Sequence, residues 1–382
     1  MIAYAMAAYR SLVWVFLMGV FPAPVLAQTS PGVYDSRVVI GQTIAMTGPF
    51  ADLSAELLKG SSAYFAAVNA AGGVHGRRIE VVAKDDGYVA DRAVANVKEF
   101  SNTAFCIFNS FGTPPNEAII PIAEQTGMPL IATYTGALSV RDPALRTVYN
   151  IRASYSDEAE HLVRHLHTIG IRRIAVVHQN NNFGREILGG LKKAMAVRNL
   201  EPVWSGSIET DASNASAMAQ KAVDAKPEVI ILGIAGKSTL EAIKTISGSG
   251  RGIQIYALSI LATPSNLRAL GSFGHGVVIS QVVPFPNPAG SRLVREYSAA
   301  MSKAGHTELN HISLEGYLNA KILVEGMRRA GRILTRAGFH QALQGLRNFD
   351  AGGVNISFGQ GAASASSLVE LTMIDRGGRL IK

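Results

Sequence analysis

The feature that most narrows the fold is an alternation of short apolar runs with longer stretches of helical periodicity, punctuated by glycine-rich loops. Arg37 to Gly41, Ile79 to Val82, Phe105 to Phe108 and Pro129 to Ala132 read as strands, since compact apolar runs bounded by turn residues suit strands buried on both faces. Between them, Ser54 to Asn69 sets Leu57, Ser61, Tyr64 and Val68 on one helical face, and Ala71-Gly72-Gly73 ends that helix. Asp91 is expected to cap a helix running to Phe100, and 115–125 reads as another helix.

The alternation restarts mid-chain. Strands are expected at Arg173 to Val177, Val229 to Gly233, Ile253 to Leu258, Val277 to Val283 and Leu368 to Ile374. Helices are expected at 185–197, Lys237 to Ile246, 291–303, 313–329 and 335–344. Repeated strand–loop–helix units predict an α/β fold with two Rossmann-like lobes and mostly parallel sheets covered by helices. In such sheets ligands bind beyond the carboxyl ends of the strands, so the loops there are the candidate site. A length of 382 residues allows two cores.

Residues 1–27 have the layout of a cleavable signal peptide: Arg10 as the charged start, Leu12 to Phe21 as the apolar centre, and Val25-Leu26-Ala27 before a cut at Gln28. The apolar run is shorter than the ~20 residues of a spanning helix. The mature chain is therefore expected in the periplasm.

Several function classes are excluded. The net charge is +8, but pairs such as Arg77-Arg78, Arg172-Arg173 and Arg328-Arg329 are scattered among acids, which does not make a nucleic-acid surface. Cys106 is the single cysteine, so no intrachain disulfide or multi-cysteine metal site exists. Asp85-Asp86 lacks a third ligand nearby and reads as a loop element. No G-x-S-x-G, Walker or His-Glu-x-x-His pattern is present. Gly248-Ser249-Gly250-Arg251-Gly252 follows a helix and is a turn. The reading is of a binding protein with no cofactor and no metal, not an enzyme.

The chain resembles the leucine/isoleucine/valine-binding branch of the type I periplasmic binding proteins over nearly all of its mature length. The resemblance is carried by Ile40-Gly41 through Thr47-Gly48-Pro49, Asn69 to Ile79, Asp85-Asp86, Pro121-Ile122-Ala123, Tyr149 to Glu158, Asn182-Phe183-Gly184 and Glu315-Gly316-Tyr317. It implies a hinge crossed three times, with lobe 1 at 36–151 and 283–360 and lobe 2 at 152–282 and 361–382. It also implies a monomer that delivers a small-molecule ligand to an inner-membrane ABC permease. The same fold serves sensory modules that feed receptor kinases, which is the alternative reading.

By position, the resemblance makes Ser110 and the Thr135-Gly136 loop the first-lobe contacts to a ligand carboxylate. Gly136 stands where relatives carry the hydroxyl, so Thr135 is its neighbour. Phe183 takes the place of an aromatic wall residue, and Ala235 falls where another relative has a tyrosine. Tyr155, just past the first crossing, reads either as a further ligand contact or as a packing residue beside a helix cap at Ser156 or Asp157, and Gln179, Asn180 and Asn181 read either as ligand donors or as a solvated loop. Ser259 replaces an acid that in those relatives receives the ligand's ammonium group. Serine supplies no charge for it, and a buried ammonium without a carboxylate is costly. The ligand is thereby left open among a carboxylate, an aromatic acid, an amide or urea-like compound, and another small metabolite. Tyr88 and Asn109 occupy the places of a disulfide found in some relatives.

Overall fold

A computed structural model describes residues 30–359 and 363–382. The signal-peptide reading of 1–27 lies outside the described residues, and the third crossing near 360 lies partly outside them. The first run of elements is β1 (Arg37–Ile44), α1 (Ala51–Ala70), β2 (Arg78–Asp85), α2 (Ala90–Thr103), β3 (Ile107–Phe108), α3 (Thr113–Thr126), β4 (Leu130–Ile131) and β5 (Val148–Tyr149). The second is α4 (Tyr155–Thr168), β6 (Ile174–Gln179), α5 (Asn182–Ala196), β7 (Trp204–Ile208), α6 (Ala215–Asp224), β8 (Val229–Gly233), α7 (Lys237–Gly248), β9 (Gln254–Ala257), α8 (Pro264–Leu270) and β10 (Val278–Gln281). The chain closes with α9 (Arg292–Lys303), α10 (His311–Ala330), α11 (Arg336–Gln344), β11 (Phe349–Asp350), β12 (Asn355–Ile356), β13 (Glu370–Ile374) and β14 (Leu380–Ile381).

Two sheets result. The first runs β2-β1-β3-β4-β5, all parallel, with Val39 opposite Glu80 and Ile107 opposite Leu130. The second runs β14-β13-β10-β9-β8-β6-β7; β6 to β10 are parallel, and β13 and β14 add antiparallel edges. Each sheet is covered on both faces, which is what continuous apolar strands require. On the first, Ile40 and Phe108 pack with Phe65, Leu318 and Leu323 of α1 and α10, while Ile107 and Leu130 pack with Val97 and Ile119 of α2 and α3. On the second, Val176 and Ile231 meet Leu162 and Ile187, and Val177 and Ile230 meet Ala219 and Ile243. The buried apolar residues from Val283 to Phe358 join the core of the first sheet, except Ile312, which packs with that of the second. Helices α1 and α10 touch backbone to backbone: a Cβ on Gly60 would lie 1.7 Å from the Ser313 carbonyl oxygen.

Three local expectations are corrected. Asp91 is not a cap; Val89, which has no capping side chain, stands before the helix start at Ala90, and Asp91 lies in the first turn, where its charge favours the helix dipole. Ser154, and not Ser156 or Asp157, caps α4, in a capping box completed by Asp157. Strand β7 and helix α6 were not foreseen. Trp204-Ser205-Gly206-Ser207-Ile208 is a half-exposed edge strand, so it lacks the apolar run that marks a central one. Among the described residues, no helix is long and apolar enough to cross a membrane.

Candidate binding site

The carboxyl ends of the two sheets' parallel strands converge. Loops after β1, β2, β3 and β4 bring Phe50, Tyr88, Phe111 and Tyr134, and the second half of the chain brings Tyr155, Phe183, Ala235 and Ile260. Together with Leu53, Gly112 and Thr113 they line a cavity of about 300 Å³, counting its mouth. The walls are largely aromatic. Phe111 stacks on Tyr134 with centroids 5.4 Å apart, Phe50 packs on Tyr88 at 4.4 Å, and Tyr155 meets Phe183 edge-on at 5.4 Å. Such pairs add about 0.5–1.5 kcal/mol each beyond the area they bury.

Asp85 and Asp86 hold the loops that carry two of these rings. Asp85 accepts from the Met46 and Thr47 backbone N–H groups, from Thr47 Oγ1 at 2.6 Å and from the Gly87 N–H. The Thr47 hydroxyl, with the backbone donors, holds its carboxyl below the usual range. Asp86 accepts from Thr43 Oγ1 at 2.7 Å and from the Tyr88 N–H at 2.8 Å, and burial pushes it up. The pair therefore organises the loops on either side of the mouth.

Beneath the aromatic wall, at the first passage between sheets, lies a buried ionic network. Arg152 donates through Nη2 to Ser259 Oγ at 2.5 Å and lies 3.5 Å from Glu158 and 3.6 Å from Glu315. Its guanidinium carbon is 4.8 Å from the Tyr134 ring centroid and 5.9 Å from that of Tyr155. Glu158 accepts from the Ser259 N–H, from Ser259 Oγ and from Ser280 Oγ at 2.6 Å. Glu158 and Ser259 belong to the second half, whereas Glu315 is on α10, so Arg152 ties the two α/β units together.

Burial pushes Glu315 up to about 7, against the lowering influence of Arg152. The folded chain then holds this proton more tightly than the unfolded chain, whose carboxyl titrates near 4.5. Its contribution to stability is complete below about pH 4.5 and is lost as pH rises through about 7. Glu315→Gln is accordingly expected to flatten the fall in stability across that window. Urea unfolding at stepped pH checks this; an unchanged slope removes Glu315 as its source.

Of the residues singled out in the sequence, Tyr155, Phe183 and Ala235 line the cavity. Thr135 is one layer behind: its Oγ1 shares a 2.7 Å hydrogen bond with Thr113 Oγ1 and donates to Tyr155 Oη at 3.5 Å. Gly136 is also behind, and its carbonyl accepts from the Tyr155 N–H at 2.7 Å. A Cβ on Gly136 would lie 2.5 Å from Tyr155 Cδ1, so Tyr155 occupies the space of any side chain there.

Ser110 and Ser259 are placed differently from the expectation. Ser110 Oγ donates to Asn116 Oδ1 at 2.5 Å, and Asn116 Nδ2 donates back to the Ser110 and Gly112 carbonyls. That hydroxyl closes the loop onto α3 and does not line the cavity. The Ser259 hydroxyl is taken by Arg152 and Glu158, and its neighbour Ile260 faces the cavity instead. Asn180 donates to Glu209, and Asn181 caps α5; neither they nor Gln179 line the cavity. Phe50, Tyr88, Phe111, Thr113, Tyr134 and Arg152 were missed as site residues. Their one sequence signal is position, just after a strand end.

The comparisons fit this geometry. The pattern of a family described as periplasmic binding protein matches residues 37–379. Leu/Ile/Val-binding protein homolog 1 of Brucella melitensis biotype 1 is 25% identical over 311 residues, covering 77% of this chain and 79% of the relative. A crystal structure of a substrate-binding periplasmic protein from Ralstonia solanacearum matches with a TM-score of 0.84 at 26% identity, over 90% of this chain and 99% of that one. A possible leucine/isoleucine/valine-binding protein from Rhodopirellula baltica SH 1 matches with a TM-score of 0.82 at 26% identity, over 95% and 98%.

Proposed function

The chain belongs to the periplasmic binding protein family, a premise that makes it an extracytoplasmic solute-binding protein and not an enzyme, and from it we propose that the chain serves an ABC uptake system. The ligand in this reading is a small carboxylate, amide or amino-acid-like metabolite held between two lobes, at 36–151 with 283–360 and at 152–282 with 361–382. The observation that carries the proposal is the cavity itself, whose walls come from strand ends of both sheets. A ligand touching both walls favours the conformation in which they meet, which is how a permease distinguishes loaded from empty protein. Cleavage after Ala27 would release the mature chain.

The test is a thermal-shift panel on purified mature protein covering amino acids, aromatic acids, short carboxylates and amides. A ligand present at a hundred times its dissociation constant stabilises by about 2.7 kcal/mol, so the melting temperature should rise by several degrees. A panel without any shift would contradict solute capture.

A further inference from the structure

Resting on the reading of two lobes that close on a solute, we infer that Glu186 is a positioning residue whose carboxylate clasps the second α/β unit to the first beside the cavity. The clasp is made by the chain alone, so closure does not depend wholly on solute contacts.

The clasp starts on α5. Asn182 and Glu186 stand four residues apart, so they share one face of the helix. Phe183 and Ile187 form the neighbouring pair; Phe183 lines the cavity, and Ile187 packs under the second sheet. One helix therefore carries both a wall of the cavity and a face turned to the first unit. Glu186 accepts from the Leu138 N–H through Oε2 at 3.1 Å and from the Ser139 N–H through Oε1 at 3.3 Å. Those two residues open the short turn Leu138–Val140, directly after the Thr135-Gly136-Ala137 loop that backs Tyr155. Asn182 Nδ2 donates to Glu117 Oε2 on α3 at 2.7 Å, and its Oδ1 accepts from Arg185 Nη2. Arg185 thus holds the amide with its donor end toward Glu117.

The geometry favours this contact over the other polar link between the units. Arg268 and Glu308, 2.8 Å apart, are two long side chains, each more than half exposed. Holding both in one place costs entropy that water-screened attraction scarcely repays. Glu186 is partly buried and meets two backbone donors that the turn already fixes. Only one side chain loses freedom there, and both of its oxygens are used. Because α5 moves as a rod, forming the clasp also seats Phe183 at the cavity wall. A solute that touches Phe183 then gains from contacts it does not itself make, since apparent affinity rises with the fraction of chains already in the competent form.

Pulsed electron–electron double resonance on the mature protein without added solute tests this, with spin labels on Lys98→Cys and Lys221→Cys. Both positions are exposed, on α2 of the first unit and α6 of the second. Cys106 is buried, and burial pushes its thiol up to about 12, so it takes no label. The labelled parent should show a population at the separation of this structure beside a second, open one. Glu186→Ala should cut the first population about fivefold or more, as expected for a lost charge-assisted contact that is partly exposed. Glu308→Ala should leave it within about twofold of the parent. The unfolding temperature of Glu186→Ala should match the parent's, since neither unit's core is touched. A closed population absent from the parent, or unchanged by Glu186→Ala, would overturn the inference. Equal loss in Glu308→Ala would overturn the assignment of the clasp to Glu186. An unfolding temperature lowered by several degrees would make Glu186 a support of the fold and overturn its positioning role. None of these results bears on solute capture, which the thermal-shift panel judges separately.

Discussion

Arg152→Leu should lower the free energy of unfolding by about 3–5 kcal/mol, the usual cost of removing one partner from a buried ionic pair. Arg152 is 3% exposed and faces Glu158 at 3.5 Å and Glu315 at 3.6 Å, both also buried. Without it, Glu158 keeps its three donors from Ser259 and Ser280 but loses its counter-charge. Glu315 loses the group that opposes its protonation. Adding Glu315→Gln should recover part of the loss, because a buried charge is then removed together with its partner. Arg37→Leu is the control: its pair with Glu80 at 3.4 Å is half exposed, and exposed pairs contribute about 0–1 kcal/mol. Chemical denaturation of the variants measures all of this. A loss below about 1 kcal/mol for Arg152→Leu would show that the network does not hold the two halves together.

The second large effect is on binding. Gly136→Ala should reduce ligand affinity by at least about tenfold while costing about 1–3 kcal/mol of stability, the range for an overpacked site. The added methyl would lie 2.5 Å from Tyr155 Cδ1 and 2.6 Å from the Tyr155 backbone nitrogen. The nitrogen cannot rotate away, and it is tied to the Gly136 carbonyl by a 2.7 Å hydrogen bond. Relief therefore moves the start of α4, and the Tyr155 ring moves with it out of the cavity wall. Calorimetric titration beside a thermal melt separates the two effects. Affinity equal to wild type would remove Tyr155 from the ligand's surroundings.

Both predictions concern residues that the sequence exposed unequally. The strand–helix alternation was legible because central parallel strands must be apolar on both faces, as Val229 to Gly233 is. The loops at strand ends followed from it, and Tyr155, Phe183 and Ala235 lie where those loops meet. Phe111 and Tyr134 sit in the same loops but read as ordinary core aromatics, since nothing local distinguishes a cavity wall from a packed interior. Arg152, Glu158 and Glu315 come together only through the passage between sheets and the return of α10, which no spacing rule reveals. The Ser110 hydroxyl is engaged by Asn116, a partner that the sequence around Ser110 does not reveal. That contact depends on the left-handed turn at Gly112, with φ of +87°, and on where α3 begins. Ser259 stood out only through the resemblance, as a hydroxyl where an acid was expected. Its hydroxyl is engaged by Arg152 and Glu158 at the passage between the sheets.

The most direct measurement of the central claim is small-angle X-ray scattering from the mature protein, with and without a saturating ligand found by the thermal-shift panel. Capture between two hinged lobes predicts a smaller radius of gyration when the ligand is present. An unchanged radius at saturation, with binding verified in the same sample, would contradict it.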